Sequence, residues 1–218
     1  MTKEMLGVLL LLTLLAYSPV RWASFAYEDS VYVEPAARAI TAPEVLAPRG
    51  LTAVSFRLHY LLQGSDPRGY HAVNVGLHLP VGLAVYALAL RLLPPAYALL
   101  TCALFLLHPL QTEAVAYVAG RAELISALGV VTAVWAFAQP TITWTHAGIA
   151  LIALVVAVGG KELGYVAIPI AGLHLFLVRK PTWSWRLAGM CAGGVVVAAL
   201  LAVPILSARV LGNAYIFQ

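Results

Sequence analysis

Charge is what this chain has least of. Only 10% of its 218 residues are Asp, Glu, Lys or Arg, while 62% are hydrophobic, and the mean hydropathy is +0.90. A water-soluble domain of this size would show far more polar surface, so lipid is read as part of its solvent. The 13 basic residues are scattered and the net charge is +4. Without a basic run there is no footprint for nucleic acid. Cysteine is scarce too. Cys102 and Cys191 each sit inside an apolar run, which gives no basis for a disulfide framework or a metal site. Histidine occurs without the His-Glu-x-x-His spacing, so no metal site is read. No internal repeat, low-complexity tract or soluble second domain is seen.

What is present is a series of long apolar runs. A membrane-spanning helix needs about 20 mainly apolar residues. By that rule about seven candidates run near 5–23, 70–93, 95–108, 121–138, 143–159, 163–178 and 186–208. Pro94-Pro95, Gln139-Pro140 and Arg179-Lys180-Pro181 punctuate them, since proline resists helix interiors. Backbone groups in lipid must bond within their own segment, and runs of this length do not resemble a barrel. The expected fold is therefore all-α: one polytopic membrane helix bundle over residues 1–218. The start, Met1–Ala16, is nearly neutral because Glu4 offsets Lys3, which favours a retained first span over a cleaved leader.

Segment 24–69 is a long connection. Leu51, Val54, Leu58, Leu61 and Leu62 recur at helical spacing with Arg57 and Gln63 off that face, predicting an interfacial helix at about 50–63. The tight Arg179–Arg186 turn is the best short-loop positive signal and places the N-terminus in the cytoplasm. On that orientation segment 24–69, the stretch 108–121 and Gly159-Gly160-Lys161-Glu162 all lie externally, and the isolated charges meet on one side.

Ionisable residues at or near membrane depth are costly unless they face a polar cavity or a partner. The richest such stretch is HPLQTEAVAYVAGRAELISAL at 108–128, with His108, Glu113, Arg121 and Glu123. Arg121 suits a lipid-linked phosphate, or equally a salt bridge to Glu113 or Glu123. Lys161 offers a second cationic contact, or an ion pair capping a helix pair. Glu28-Asp29, just after the first run, could supply a general base for an acceptor hydroxyl or hold a divalent cation; a solvated acidic turn is the plainer reading. His71, Asn74 and His78 share one helical face, either lining a pocket or joining helices by hydrogen bonds. No motif names a cofactor beyond that divalent-cation option.

Four blocks carry a resemblance: SFAYEDSVYV at 24–33, RGLTAVSFRLHYLLQGSDPRGYHAVNVGLHL at 49–79, LLHPLQTEAVAYVAGRAELISAL at 106–128 and GGKELGYVAIPI at 159–170. In this order they resemble the membrane half of bacterial relatives of the transmembrane O-mannosyltransferases that carry TPR repeats, within the GT-C glycosyltransferase superfamily. The resemblance implies a helical domain in the bacterial inner membrane with an external active site. It implies a polyprenyl-phosphate sugar as donor and a hydroxyl acceptor, often on protein. It places the catalytic acidic pair on Glu28 and Asp29, with Arg121, Lys161, His108 and Glu113 toward the phosphate and substrate, and inversion at the anomeric centre. The family usually shows two aspartates where this chain has Glu28. Its members continue through further spans and TPR repeats, whereas this sequence stops at Gln218.

Two function classes follow. One is a compact glycosyltransferase. The other is a non-catalytic subunit of a larger respiratory, photosynthetic or transport assembly, suited by the small residues of Met190–Ala202, which let another helix approach closely. No paired broken helices announce an inverted-repeat transporter.

Overall fold

The computed structural model describes residues 2–26, 29–34, 45 and 49–179. Glu28, Cys191 and the expected last span 186–208 lie outside the described residues. Among the described residues the regular structure is entirely helical, as the apolar runs require.

Helix α1 (Thr2–Tyr17) runs into a 3-10 turn, Ser18–Trp22, whose Pro19 ends the α-helical ladder. The short α2 (Asp29–Val33) follows. Helix α3 (Gly50–Gln63) occupies the residues where leucine spacing predicted a short helix, and closes on Gly64 at φ +66°, a left-handed position that glycine adopts without strain. Helix α4 (Pro67–Leu92) starts on Asp66, whose side chain accepts from the Arg68 N–H, with Pro67 in the first turn. Helix α5 (Pro95–Leu107) is bracketed by Pro94 and by His108-Pro109. Then come α6 (Gln111–Ala116), a 3-10 turn at Val118–Gly120, and α7 (Arg121–Phe137). Helix α8 (Trp144–Gly160) opens with Thr143 and His146 capping one another reciprocally. A last 3-10 turn, Glu162–Val166, leads into α9 (Ala167–Arg179).

Three described helical segments are long and apolar enough to cross a membrane: Glu4–Trp22, Pro67–Leu92 and Val118–Phe137. Pro95–Leu107 and Trp144–Gly160 are apolar but shorter. At 1.5 Å per residue, α5 reaches only about 20 Å, two thirds of a hydrocarbon core. The prolines that marked its ends in the sequence also cut its length. The expected span at 163–178 is interrupted likewise, its first turn being 3-10.

Helices α7 and α8 form the tightest pair. A Cβ built on Gly129 would collide with the backbone of Ala157 and Ala153, and Ala133, Ala153 and Ala157 are buried in the same seam. Small residues let helix backbones approach where lipid offers no hydrophobic drive. Helix α5 packs on α4 where Gly82 leaves room for Leu106, and the Cys102 thiol donates to the Gly82 carbonyl at 3.3 Å. Helix α1 buries Leu9 against Leu99, Cys102 and Leu106 and leaves Val8, Leu11, Leu12 and Leu15 exposed, as a lipid-facing helix would. On α3 the buried residues are Gly50, Thr52, Phe56 and His59, while Leu58, Leu61 and Leu62 remain exposed.

Candidate functional site

The segment after α1, Arg49 at the head of α3, the segment between α5 and α7, and the turn after α8 meet at one end of the bundle. Thr52 Oγ1 donates to the Gly160 carbonyl at 2.8 Å, seating α3 on the end of α8. A Cβ on Gly160 would press on the backbone of Ser126, so glycine lets the same turn close on α7. A Cβ on Gly120 would strike the Ala114 carbonyl, so α6 can fold back over the start of α7.

Asp29 is 1% exposed. Its Oδ2 accepts from the Ala26 N–H and its Oδ1 from the Ala119 N–H, each at 2.9 Å. Charge-assisted bonds of this kind contribute about 1.5–3 kcal/mol each. This carboxylate therefore clasps the turn Val118–Gly120 to the segment that follows α1. Glu28, the other half of the acidic pair, lies outside the described residues.

Among the described residues Arg121 is the largest side chain that is fully buried, at 1% exposed. Its Nε donates to Asn74 Oδ1 at 3.2 Å, and its terminal nitrogens donate to the carbonyls of Ser55 and Tyr70 at 3.4 Å. The guanidinium carbon lies 4.3 Å from the Phe56 ring centroid and 5.3 Å from that of Tyr70, within cation–π range. Among the described residues no carboxylate pairs with it. The amide nitrogen of Asn74 donates in turn to the carbonyls of Tyr117 at 2.8 Å and Val118 at 3.2 Å. Asn74 and Arg121 thus lock the entry to α7 from beneath.

His71 and His78 are buried beside Asn74 on α4. His78 Nε2 stands 3.1 Å from the Leu106 carbonyl; since a carbonyl only accepts, Nε2 carries the proton. The stripe faces protein, and none of its three residues lines the cavities described next.

Above this layer opens a cavity of about 330 Å³, whose charged lining residues are Arg49, Glu113, Glu123 and Lys161, with Tyr32 and Tyr117 among the others. Lys161 pairs with Glu123. Arg49 donates to both carboxylate oxygens of Glu162, at 2.7 and 2.9 Å, and to the Tyr32 hydroxyl at 2.7 Å. The Arg49 hydrogen bonds hold the Glu162 carboxyl below the usual carboxylate range, and Glu162 in turn raises Arg49 above the ordinary guanidinium value. Arg49 also sits at φ +65°, a left-handed conformation that costs a residue with a Cβ on the order of 1 kcal/mol. The bidentate pair holds it there.

Glu113 is exposed, and no hydrogen bond or ion pair from a described residue engages its carboxylate. It also lines a second, more open cavity of about 480 Å³, bounded by Ala26, Thr112, Ala116 and Tyr117. His108 is exposed, and its Nδ1 accepts from the Leu110 N–H at 3.2 Å, bracing the turn before α6.

The structure thus gathers Glu113 and Lys161 in one cavity, sets Asp29 and Arg121 in the layer behind it, and leaves His108 outside its lining. Among the described residues, no group of three or more His, Cys, Asp or Glu is placed to hold a metal ion. Sequence reasoning missed Arg49 and Tyr32. Neither belongs to a recognisable charged motif, and Arg49 meets Glu162 from 113 residues away.

Burial, reinforced by the Arg121 charge, keeps the His59 imidazole titrating below its ordinary value. The unfolded chain therefore takes up the proton first as pH falls below about 6.5. This term of stability is intact above that pH and declines beneath it. Melting temperatures from pH 8 to 5 are expected to fall less steeply for His59→Gln than for the wild type; equal slopes would remove His59 from the account.

Comparison with known proteins supports the resemblance. Protein O-mannosyl-transferase Tmtc1 of Drosophila melanogaster is 37% identical over 128 residues, 57% of this chain and 15% of that protein. Protein O-mannosyl-transferase TMTC3 of Mus musculus is 32% identical over 137 residues, 61% of this chain and 15% of that protein. Protein O-mannosyl-transferase Tmtc2 of Drosophila melanogaster is 47% identical over 78 residues, 35% and 8% respectively. No protein-family model and no solved structure matches the chain. The matches span about 15% of the length of the first two relatives. Over about half of its own length, this chain is similar to the TMTC protein O-mannosyl-transferases.

Proposed function

We propose that this chain forms the donor-binding membrane part of a GT-C-type glycosyltransferase. It moves a sugar, by analogy with its relatives mannose, from a polyprenyl phosphate to a protein hydroxyl. The cavity opens on the external side of a bacterial inner membrane, with the N-terminus cytoplasmic. The supporting observation is the cavity itself: Lys161 and Arg49 line the same space as the carboxylate of Glu113, which no described residue engages, as a site for an anionic donor and a proton-losing acceptor requires.

In the reaction a carboxylate accepts the acceptor's proton. The acceptor oxygen attacks the anomeric carbon from the side opposite the phosphate. The bond from that carbon to the phosphate oxygen breaks, and the phosphate leaves with the electron pair. Lys161 meets the growing phosphate charge by exchanging its Glu123 partner for the leaving group. Arg49, pinned by Glu162, supplies a fixed positive field. The acidic pair Glu28 and Asp29 and the cavity carboxylate Glu113 are the groups from which the base is drawn.

Transfer of mannose from a short-chain polyprenyl-phosphate mannose to a Ser/Thr peptide, by the full chain in nanodiscs, tests this reading. Lys161→Met is expected to raise the donor KM roughly 10- to 100-fold, the loss of one charge-assisted contact. No transfer by the wild-type chain would refute the transferase reading.

One observation favours a second reading. Asp29 and Arg121 are both buried and engaged with neutral groups, as an accessory subunit retaining the fold without the chemistry would keep them. The same wild-type assay separates the two.

A further inference from the structure

We infer that Arg21, Trp22 and Arg68 form a binding site for the phosphate of an anionic phospholipid, at the membrane boundary. The site joins two elements. Trp22 closes the apolar segment Glu4–Trp22, and Arg68 stands in the first turn of the apolar segment Pro67–Leu92. The guanidinium carbon of Arg21 lies 4.7 Å from the Trp22 ring centroid, and that of Arg68 lies 4.6 Å from it, both within cation–π range. The backbone brings them there. Pro19 turns the chain at the end of α1, and Asp66 fixes the start of α4 by accepting from the Arg68 N–H at 3.0 Å. Phe25 meets Tyr70 edge to face, with centroids 5.5 Å apart, which ties the segment after α1 to α4.

Two guanidiniums gathered on one indole repel each other, and a shared anion relieves that repulsion. Asp66, the described acid nearest in sequence to Arg68, already has one carboxylate oxygen engaged by the helix cap. Both arginines are exposed, and Trp22 is 62% exposed. They stand where two apolar segments end, the depth at which tryptophan and headgroup phosphates meet. The planar guanidinium fork suits phosphate, and an anionic leaflet draws arginine to its surface. A lipid fits better than free phosphate because apolar surface lies beside the charges. Helix α3 stacks on Tyr70 through Phe56 and His59, two residues on from Arg68, and leaves Leu58, Leu61 and Leu62 exposed. Those leucines enter the acyl region under the headgroups, as the apolar face of an interfacial helix does. None of Arg21, Trp22 and Arg68 lines either cavity described above. The site is therefore separate from that of the sugar donor, and it stands whether or not the chain transfers sugar.

Native mass spectrometry of the full chain, released from detergent after equilibration with equimolar phosphatidylglycerol and phosphatidylcholine, tests this site. The wild type should retain phosphatidylglycerol preferentially. The double variant Arg21→Gln/Arg68→Gln should lose roughly 10- to 30-fold of that preference, the combined effect of two arginines at an anionic surface. Its melting temperature should match the wild type, because both side chains are exposed. Trp22→Ala should lose roughly 2- to 5-fold, since the guanidiniums no longer have the ring that places them. Arg91→Gln removes an exposed charge from the other end of α4 and should leave the preference unchanged. Inorganic phosphate in large excess should not displace the lipid. A double variant with the wild-type preference would overturn the inference. So would an equal loss in Arg91→Gln, which would reduce the effect to net charge. Displacement of the lipid by inorganic phosphate would also overturn it, leaving a plain phosphate site.

Discussion

Replacing Arg121 with alanine is expected to destabilise the chain by about 3 kcal/mol or more, in the class of buried polar networks that lose a member. For a chain of this size that lowers the melting temperature by about 6–12 °C. The guanidinium serves Asn74, Ser55 and Tyr70 at once and lies over two aromatic rings. Alanine removes those donors, leaves the buried Asn74 Oδ1 without its Arg121 partner and opens a void beneath Phe56. Arg121→Met separates the two contributions. It refills the space without donors, so its melting temperature should lie between those of the alanine variant and the wild type. Desolvating an unpaired cation is expensive, and an apolar replacement can restore much of what is lost. Thermal unfolding in detergent decides it. An alanine variant within about 0.5 kcal/mol of wild type, the range of ordinary surface substitutions, would show that Arg121 does not hold the entry to α7.

Gly129→Leu should be more damaging still, leaving little folded protein. The obstacle is backbone. A Cβ at this position runs into the amide of Ala157 and the carbonyl of Ala153, and no rotamer can move a Cβ. Even Gly129→Ala should cost about 1–3 kcal/mol, as overpacking of a tight core does, despite alanine's better helix propensity. Gly148 sits on α8 with nothing near its missing Cβ, so Gly148→Ala should leave stability unchanged or slightly improved. Monodisperse yield and thermal unfolding of the three variants check the seam. A well-folded Gly129→Leu protein would mean that α7 and α8 do not approach this closely.

Much of the helical layout was legible because its signals are local. Pro67 and Pro95 mark helix starts, and His108-Pro109 and Gly64 mark ends. The leucines of residues 51–62 announced α3 through their period. The period did not say which side would be covered. Phe56 and His59 bury themselves against Tyr70, Leu51 packs on Gly159, and Leu58, Leu61 and Leu62 are left outside. At the site, sequence proximity misled. The sequence offers Arg121 a lipid-linked phosphate or, equally, a salt bridge to Glu113 or Glu123. Positions i and i+2 point to different sides of a helix, so Arg121 turns into the bundle while Glu123 reaches the cavity and Lys161. Lys161 and Glu162, adjacent in sequence, each find their partner on a distant segment. These pairings are set by the close approach of α7 and α8 and by the seating of α3 on Gly160. No single window of sequence contains them.

The Arg49–Glu162 and Asp29–Ala119 links join residues 113 and 90 positions apart. A ribosome adding about 5–20 residues per second leaves Arg49 waiting roughly 6–23 seconds before Glu162 has even been made. Throughout that interval the nascent chain holds its early helices without the ion pair that fixes the left-handed residue at the head of α3. The vestibule is therefore a late product of biogenesis, completed only when the α7–α8 hairpin closes over segments synthesised long before.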